Sequence, residues 1–158
     1  MSILAIDPGP RECALVLYNE RAKKPESAAM VPSLDVRPQR AHLILLEQVE
    51  SYGMRVGKSI FQTCEIIGRI RDRAERAGAS VYLVPRREVK LALCGRASAN
   101  DADIRRRLMD IYAERFSLQE DRQLKGTRAE PGPLYGIARD LWAALAIAEW
   151  WMLRKEEG

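Results

Sequence analysis

Residues 2–9 read SILAIDPG, a short apolar run closed by an acid and the turn signal Asp7-Pro8-Gly9. Apolar residues that stop abruptly at a turn predict a buried strand, with Asp7 at its carboxyl end. No basic region precedes the run and an acid ends it, so it does not read as a signal peptide. A second run, CALVLY from Cys13 to Tyr18, ends at Asn19-Glu20. The short turn between the two runs predicts an antiparallel hairpin. A weaker third strand is expected around Ser27–Val31, and the Pro32–Gln39 stretch with its two prolines reads as a loop. Then His42–Val49, HLILLEQV, is apolar almost without break, as in strands covered on both faces in the middle of a sheet.

Beyond Gly53 the periodicity lengthens. Val56, Ile60, Cys64, Ile67, Ile70 and Ala74 make a stripe that predicts a helix to about Ala77, stopped by Gly78. Val81–Val84 is a further strand ended by Pro85. A short helix follows through Arg86–Leu93, and another, capped by Asn100 or Asp101, runs to about Phe116. Residues 117–133 lack periodicity and read as a mobile loop. A last helix is expected from Tyr135 to about Leu153. The whole is one α/β domain, residues 1–158, with a mixed sheet.

Composition narrows the chemistry. In 158 residues, 47% hydrophobic and 30% charged, there is too much apolar content for a disordered chain. No apolar run reaches the roughly 18 residues of a membrane span. Three scattered cysteines, Cys13, Cys64 and Cys94, form no CxxC and suit a reducing cytoplasm. The single histidine, His42, opens an apolar strand and reads as structural, which excludes clustered zinc ligation and leaves no plausible Ser–His–Asp or Cys–His catalysis. The net charge of +4 is carried mostly by arginines from Arg55 onward and favours a polyanionic partner. Gly53–Ser59 imitates a phosphate-binding loop, but only three residues separate Gly53 from Gly57, and Tyr52 stands where the first glycine belongs.

Carboxylates remain. Asp7 and Glu47 each fall at or inside the end of a core strand, where an ionised acid is costly unless something positive offsets it. Asp140 is the one acid that the first turn of the small-residue helix, DLWAALAIA, can present to the sheet. Asp7 and Asp140 have ordinary explanations, since Asp-Pro-Gly is a common turn and first-turn acids suit the helix dipole, but an acid within a buried strand run, as Glu47 is, is rare. Taken together, three hard oxygen donors from separate elements suit magnesium, with manganese as the alternative, and two ions can share such a site. Arg86, Arg87, Lys90 and Arg96 follow a strand's carboxyl end and are candidate DNA contacts, as are Lys125 and Arg128 in the 117–133 stretch. Tyr52 is a candidate for stacking on an unpaired base. The arginines of the long helix read instead as a solvated face, paired with Glu65, Asp72 or Glu75.

The stretches ILAIDPG, LLEQV, SANDADIRRRL and KGTRAEPGPLYGIARDLWAALAIA, in this order and over nearly the whole chain, resemble the RuvC Holliday junction resolvases, the last most closely the short phage-type members. The resemblance implies a ribonuclease H-like fold, five strands with helices on both faces, a homodimer, and a setting in a bacterial or phage-infected cell. It also implies magnesium-dependent resolution of four-way DNA junctions by symmetric nicks. Asp7, Glu47 and Asp140 match the family's catalytic, metal-holding acids. The family often carries a second acid three residues after Asp140, where this chain has Ala143. Either three acids suffice with water completing the shell, or Asp101 or Asp103 contributes from elsewhere; three are expected, Asp101 being taken up as a helix cap. The Pro32–Arg40 connection is too short for the helix that longer members carry. Two rivals use the same features: a ribonuclease H-like enzyme acting on RNA–DNA hybrids, and a non-catalytic junction-binding protein.

Overall fold

The computed structural model describes residues 1–38, 41–51 and 53–158. Five strands, β1 (Ser2–Asp7), β2 (Glu12–Asn19), β3 (Lys24–Pro32), β4 (Leu43–Gln48) and β5 (Ser80–Pro85), form one sheet in the order β3-β2-β1-β4-β5. The β1–β2 and β2–β3 pairs are antiparallel, while β1–β4 and β4–β5 are parallel, so the sheet is mixed as expected. The β1–β2 turn is tight. A Cβ at Gly9 would stand 2.5 Å from the Glu12 carbonyl oxygen, and the Ser33 hydroxyl donates to the Gly9 carbonyl at 2.7 Å.

Side chains alternate across a strand, and each face of the sheet buries its own set. Leu4, Ile6, Cys13, Leu15, Ile44 and Leu46 pack against α1 (Lys58–Arg76) through Ile66, Ile70 and Ala74. On the opposite face Ile3, Ala5, Ala14, Val16, Tyr18 and Leu45 meet α2 (Arg86–Cys94), α3 (Asp101–Arg115) and α5 (Leu141–Glu157). Ala144 and Ala148 are fully buried, so α5 lies close on β1 and β2. Among the described residues no helix is long and apolar enough to cross a membrane.

The structure departs from the sequence reading in four places. The strand expected at Ser27–Val31 extends over Lys24–Pro32, paired along its length with β2. Helix α1 begins at Lys58 rather than near Gly53, because Gly53 adopts φ 78° and Gly57 an extended conformation. Its inward stripe is Thr63, Ile66, Ile70 and Ala74, whereas Val56 and Cys64 are exposed. Thr63 can be buried because its hydroxyl donates to the Ser59 carbonyl. The last helix begins at Leu141, since Gly136 (φ 80°) and Arg139 (φ 51°) interrupt any helical path from Tyr135. Finally, the 117–133 stretch contains a short helix, α4 (Asp121–Lys125), anchored by the fully buried Leu124 and by Asp121 pairing with Arg106.

Candidate active site

The parity of the strands builds the site. In β1 the odd residues Ile3 and Ala5 face α5, and Asp7 continues that row; in β4 Leu45 faces the same way and Glu47 follows it. Parallel register pairs Ala5 with Leu45 and Ile6 with Leu46, so one further step sets Asp7 beside Glu47. The Asp7 carboxyl hydrogen-bonds Glu47. Asp140 caps the start of α5 at φ −70° and ψ −9°, makes no capping hydrogen bond with its side chain, and lies close enough for its charge to act on Asp7. All three acids line one cleft of about 470 Å³.

Burial, together with the hydrogen bond and charge of Glu47 and the charge of Asp140, pushes the Asp7 pKa up to about 9, against partial relief from Arg86. Folding therefore favours a proton on Asp7. The folded chain binds one more proton than the unfolded chain between about pH 4 and pH 9, so stability without added cation falls as pH rises through that window. Thermal melts in chelator should show wild-type losing at least about 2–4 °C between about pH 5 and pH 8. Asp7→Asn should flatten that slope; a wild-type melt independent of pH counts against the protonated pair.

Arg86 opens α2 immediately after β5, whose register pairs Gln48 with Pro85. Its guanidinium lies 3.6 Å from Glu47 Oε1 and 2.6 Å from Asp101 Oδ1. Asp101 is therefore not the cap of α3: Asn100 caps it, in a reciprocal box with Asp103, and Asp101 faces the cleft instead. The methyl of Ala143 also lines the cleft, at the place of the second helix acid.

Of the expected DNA contacts, Arg86, Lys90 and Lys125 line the cleft. Arg87 and Arg128 are exposed away from it, and Arg96 is paired with Asp103 at 2.8 Å. Tyr52 lies outside the described residues. Arg71 on Glu75 and Arg76 on Asp72 form the expected solvated face, whereas Arg73 is partly buried and donates to the Val36 carbonyl. Two further cations line the cleft: Arg105, counted among the basic residues but not singled out, and Arg139, which was missed. Arg105 stacks 5.2 Å above the Trp142 ring, and Arg139 holds Glu12 at 3.0 Å. Their signals were present: Arg105 is one helical turn beyond Asp101, and Arg139 adjoins Asp140.

Among the described residues no group of three or more Asp, Glu, His or Cys side chains stands ready to hold a metal ion as placed. The donor chemistry nonetheless fits magnesium, which keeps several waters and takes one or two carboxylates plus substrate phosphate. Asp7 and Glu47 supply that pair of hard oxygens, with Asp140 close by.

This mixed five-stranded α/β architecture is the ribonuclease H-like fold of RuvC. The structure of Thermus thermophilus RuvC superposes with a TM-score of 0.65 at 20% identity, covering 100% of this chain and 97% of that one. The structure of T. thermophilus RuvC in complex with a Holliday junction substrate gives 0.62 at 19% identity, covering 100% and 96%. No protein-family model and no curated protein sequence matches the chain.

Proposed function

We propose that this chain is a metal-dependent endonuclease that recognises branched DNA and resolves four-way junctions by paired phosphodiester hydrolysis. The observation that carries this reading is the gathering of Asp7, Glu47 and Asp140 in one cleft whose walls bring Lys90, Arg105 and Lys125. The fold shared with a junction-bound RuvC supports the choice of substrate. Magnesium or manganese, two ions per site, would supply water activation and stabilisation of the leaving oxygen. Asp7 and Glu47 would hold the ions from the sheet edge and Asp140 from the helix start, with water completing the shell in place of a fourth acid. Lys90, Arg105 and Lys125 would neutralise phosphates and fix the strand across the carboxylates. The test is incubation of labelled four-way, three-way and linear duplex DNA, and an RNA–DNA hybrid, with each metal. Paired nicks in the four-way substrate are expected. Preferential cutting of the hybrid would favour the ribonuclease H reading, and binding without cutting in either metal would favour a junction-binding protein.

Paired nicks call for two sites, and a homodimer would provide them. The apolar stripe of the Gly53–Ala77 helix is the dimer contact that the sequence suggests, but the inward stripe of α1 is consumed against the sheet and is not available for it. Met54 and Val56, just before α1, and Phe61, in its first turn, are 78%, 42% and 62% exposed and form the better candidate. Sedimentation at micromolar concentration should give a dimer, and Phe61→Asp should give monomers. A monomeric wild-type chain would refute the assembly.

A further inference from the structure

Arg86 sits where local rules disfavour it. It is the first residue of α2, whose amino end carries the positive pole of the helix dipole, and no side chain caps that end. Half-burial also works against its charge, yet the charges of Glu47, Asp101 and Asp7 outweigh the burial. A charge kept against propensity points to a task in the cleft. The two arms of its guanidinium are unequal: Nη2 makes a short charge-assisted bond to Asp101, whereas Nη1 only approaches Glu47.

We propose that Arg86 is a tethered counter-ion, anchored on Asp101, that occupies the positive position beside Glu47 until a divalent cation displaces that arm, and that its freed arm then faces the phosphate of the bound strand. The pairing of β5 with β4 fixes the start of α2 beside Glu47, so the guanidinium swings by rotation about its own side chain without movement of the backbone. The long contact to Glu47 is the one released and the short contact to Asp101 the one retained. Asp101 thus acts as a positioning residue, and its exposure at the cleft rim leaves the pair open to an incoming strand. A lysine could not bridge two carboxylates with a planar fork.

The phosphate half of this inference rests on the nuclease reading; the cation half does not. Calorimetric titration of manganese alone, without DNA, into wild-type, Arg86→Gln and Arg86→Lys chains separates them. Arg86→Gln should bind manganese about threefold to tenfold more tightly, because a competing positive charge is gone. Its junction cleavage should nevertheless be slower by about 10–100-fold, since one electrostatic contact to the reacting phosphate is lost. Arg86→Lys, which keeps the charge, should return the metal affinity toward wild type. A folded Arg86→Gln chain, checked by circular dichroism, that binds manganese no more tightly overturns the counter-ion alone. Tighter binding with unchanged cleavage overturns the phosphate contact. A wild-type chain that takes up no manganese overturns this inference together with the nuclease reading.

Discussion

Asp7→Asn should abolish junction cleavage, by roughly 10³-fold or more, while leaving four-way-junction binding and the fold intact. The size follows from position: a single electrostatic contact to a reacting centre is already worth about 10²–10³ in rate, and the charges of both other acids of the cleft act on Asp7. Binding should persist because Lys90, Arg105 and Lys125, which line the same cleft, would carry the phosphate contacts in its absence. An amide at this position also removes one member of a buried, mutually repelling carboxylate pair. The cation-free variant should therefore melt at or above the wild-type temperature at neutral pH, even as activity disappears. Gel-shift titration, cleavage assays and thermal melts on one preparation check all of these points. Retained cutting with magnesium would sink the assignment of Asp7, and lost binding would show that the acid also supports the DNA surface.

The second large effect belongs to Glu149, on α5 and about 13 Å beyond Asp140 along the helix axis by rise per residue. It is 1% exposed and yet fully paired. Arg115 meets it with two nitrogens at 2.8 Å, and the hydroxyls of Tyr18 and Tyr112 each donate to it at 2.7 Å. Arg115 also donates to the Lys23 carbonyl at 2.7 Å, so one cluster ties β2, the β2–β3 turn, α3 and α5 together. Burial and the Glu149 charge hold the Tyr18 and Tyr112 hydroxyls well above the ordinary tyrosine range, which keeps them as donors. Glu149→Ala leaves the guanidinium and both hydroxyls short of their acceptor. Breaking a buried pair in this way costs about 3–5 kcal/mol, or a melting-point drop of roughly 10 °C. Urea denaturation of the variant measures it, and a loss below about 1 kcal/mol would mean that the cluster behaves like a surface pair. Replacing Arg115 and Glu149 together by methionine should recover part of the loss, because no buried charge is then left alone.

Much of the fold was legible because its core strands announce themselves as short apolar runs closed by turn signals. The runs SILAI, CALVLY and HLILLEQV each became a strand in its expected place, and Gly95 ended α2 at φ 73°. The convergence of Asp7 and Glu47 follows from odd-numbered positions on two parallel neighbours, which needs only the register. What failed to show was whatever depends on backbone exceptions and long-range pairing. Arg139 at positive φ delays α5 by half a dozen residues, although an arginine carries no sign of that conformation. The stripe of α1 was misphased because Thr63 hides its polarity in a backbone hydrogen bond. Asp101 looked like a cap, since capping is local and its partner Arg86 stands 15 residues earlier. Glu149 gave no sign in the sequence of being a buried acid, because its partners Tyr18 on β2 and Tyr112 and Arg115 on α3 are distant along the chain.

The alternation that brings Asp7 and Glu47 together also makes the chemistry intolerant of a change in length. Deleting or adding one residue inside β1 would point the acid through the sheet toward α1, on the side opposite Asp140, with the apolar layers exchanged as well. Insertions in the turns leave that phase untouched. Variation in chain length compatible with an intact cleft is thus confined to the connections, or comes in steps of two within the strands.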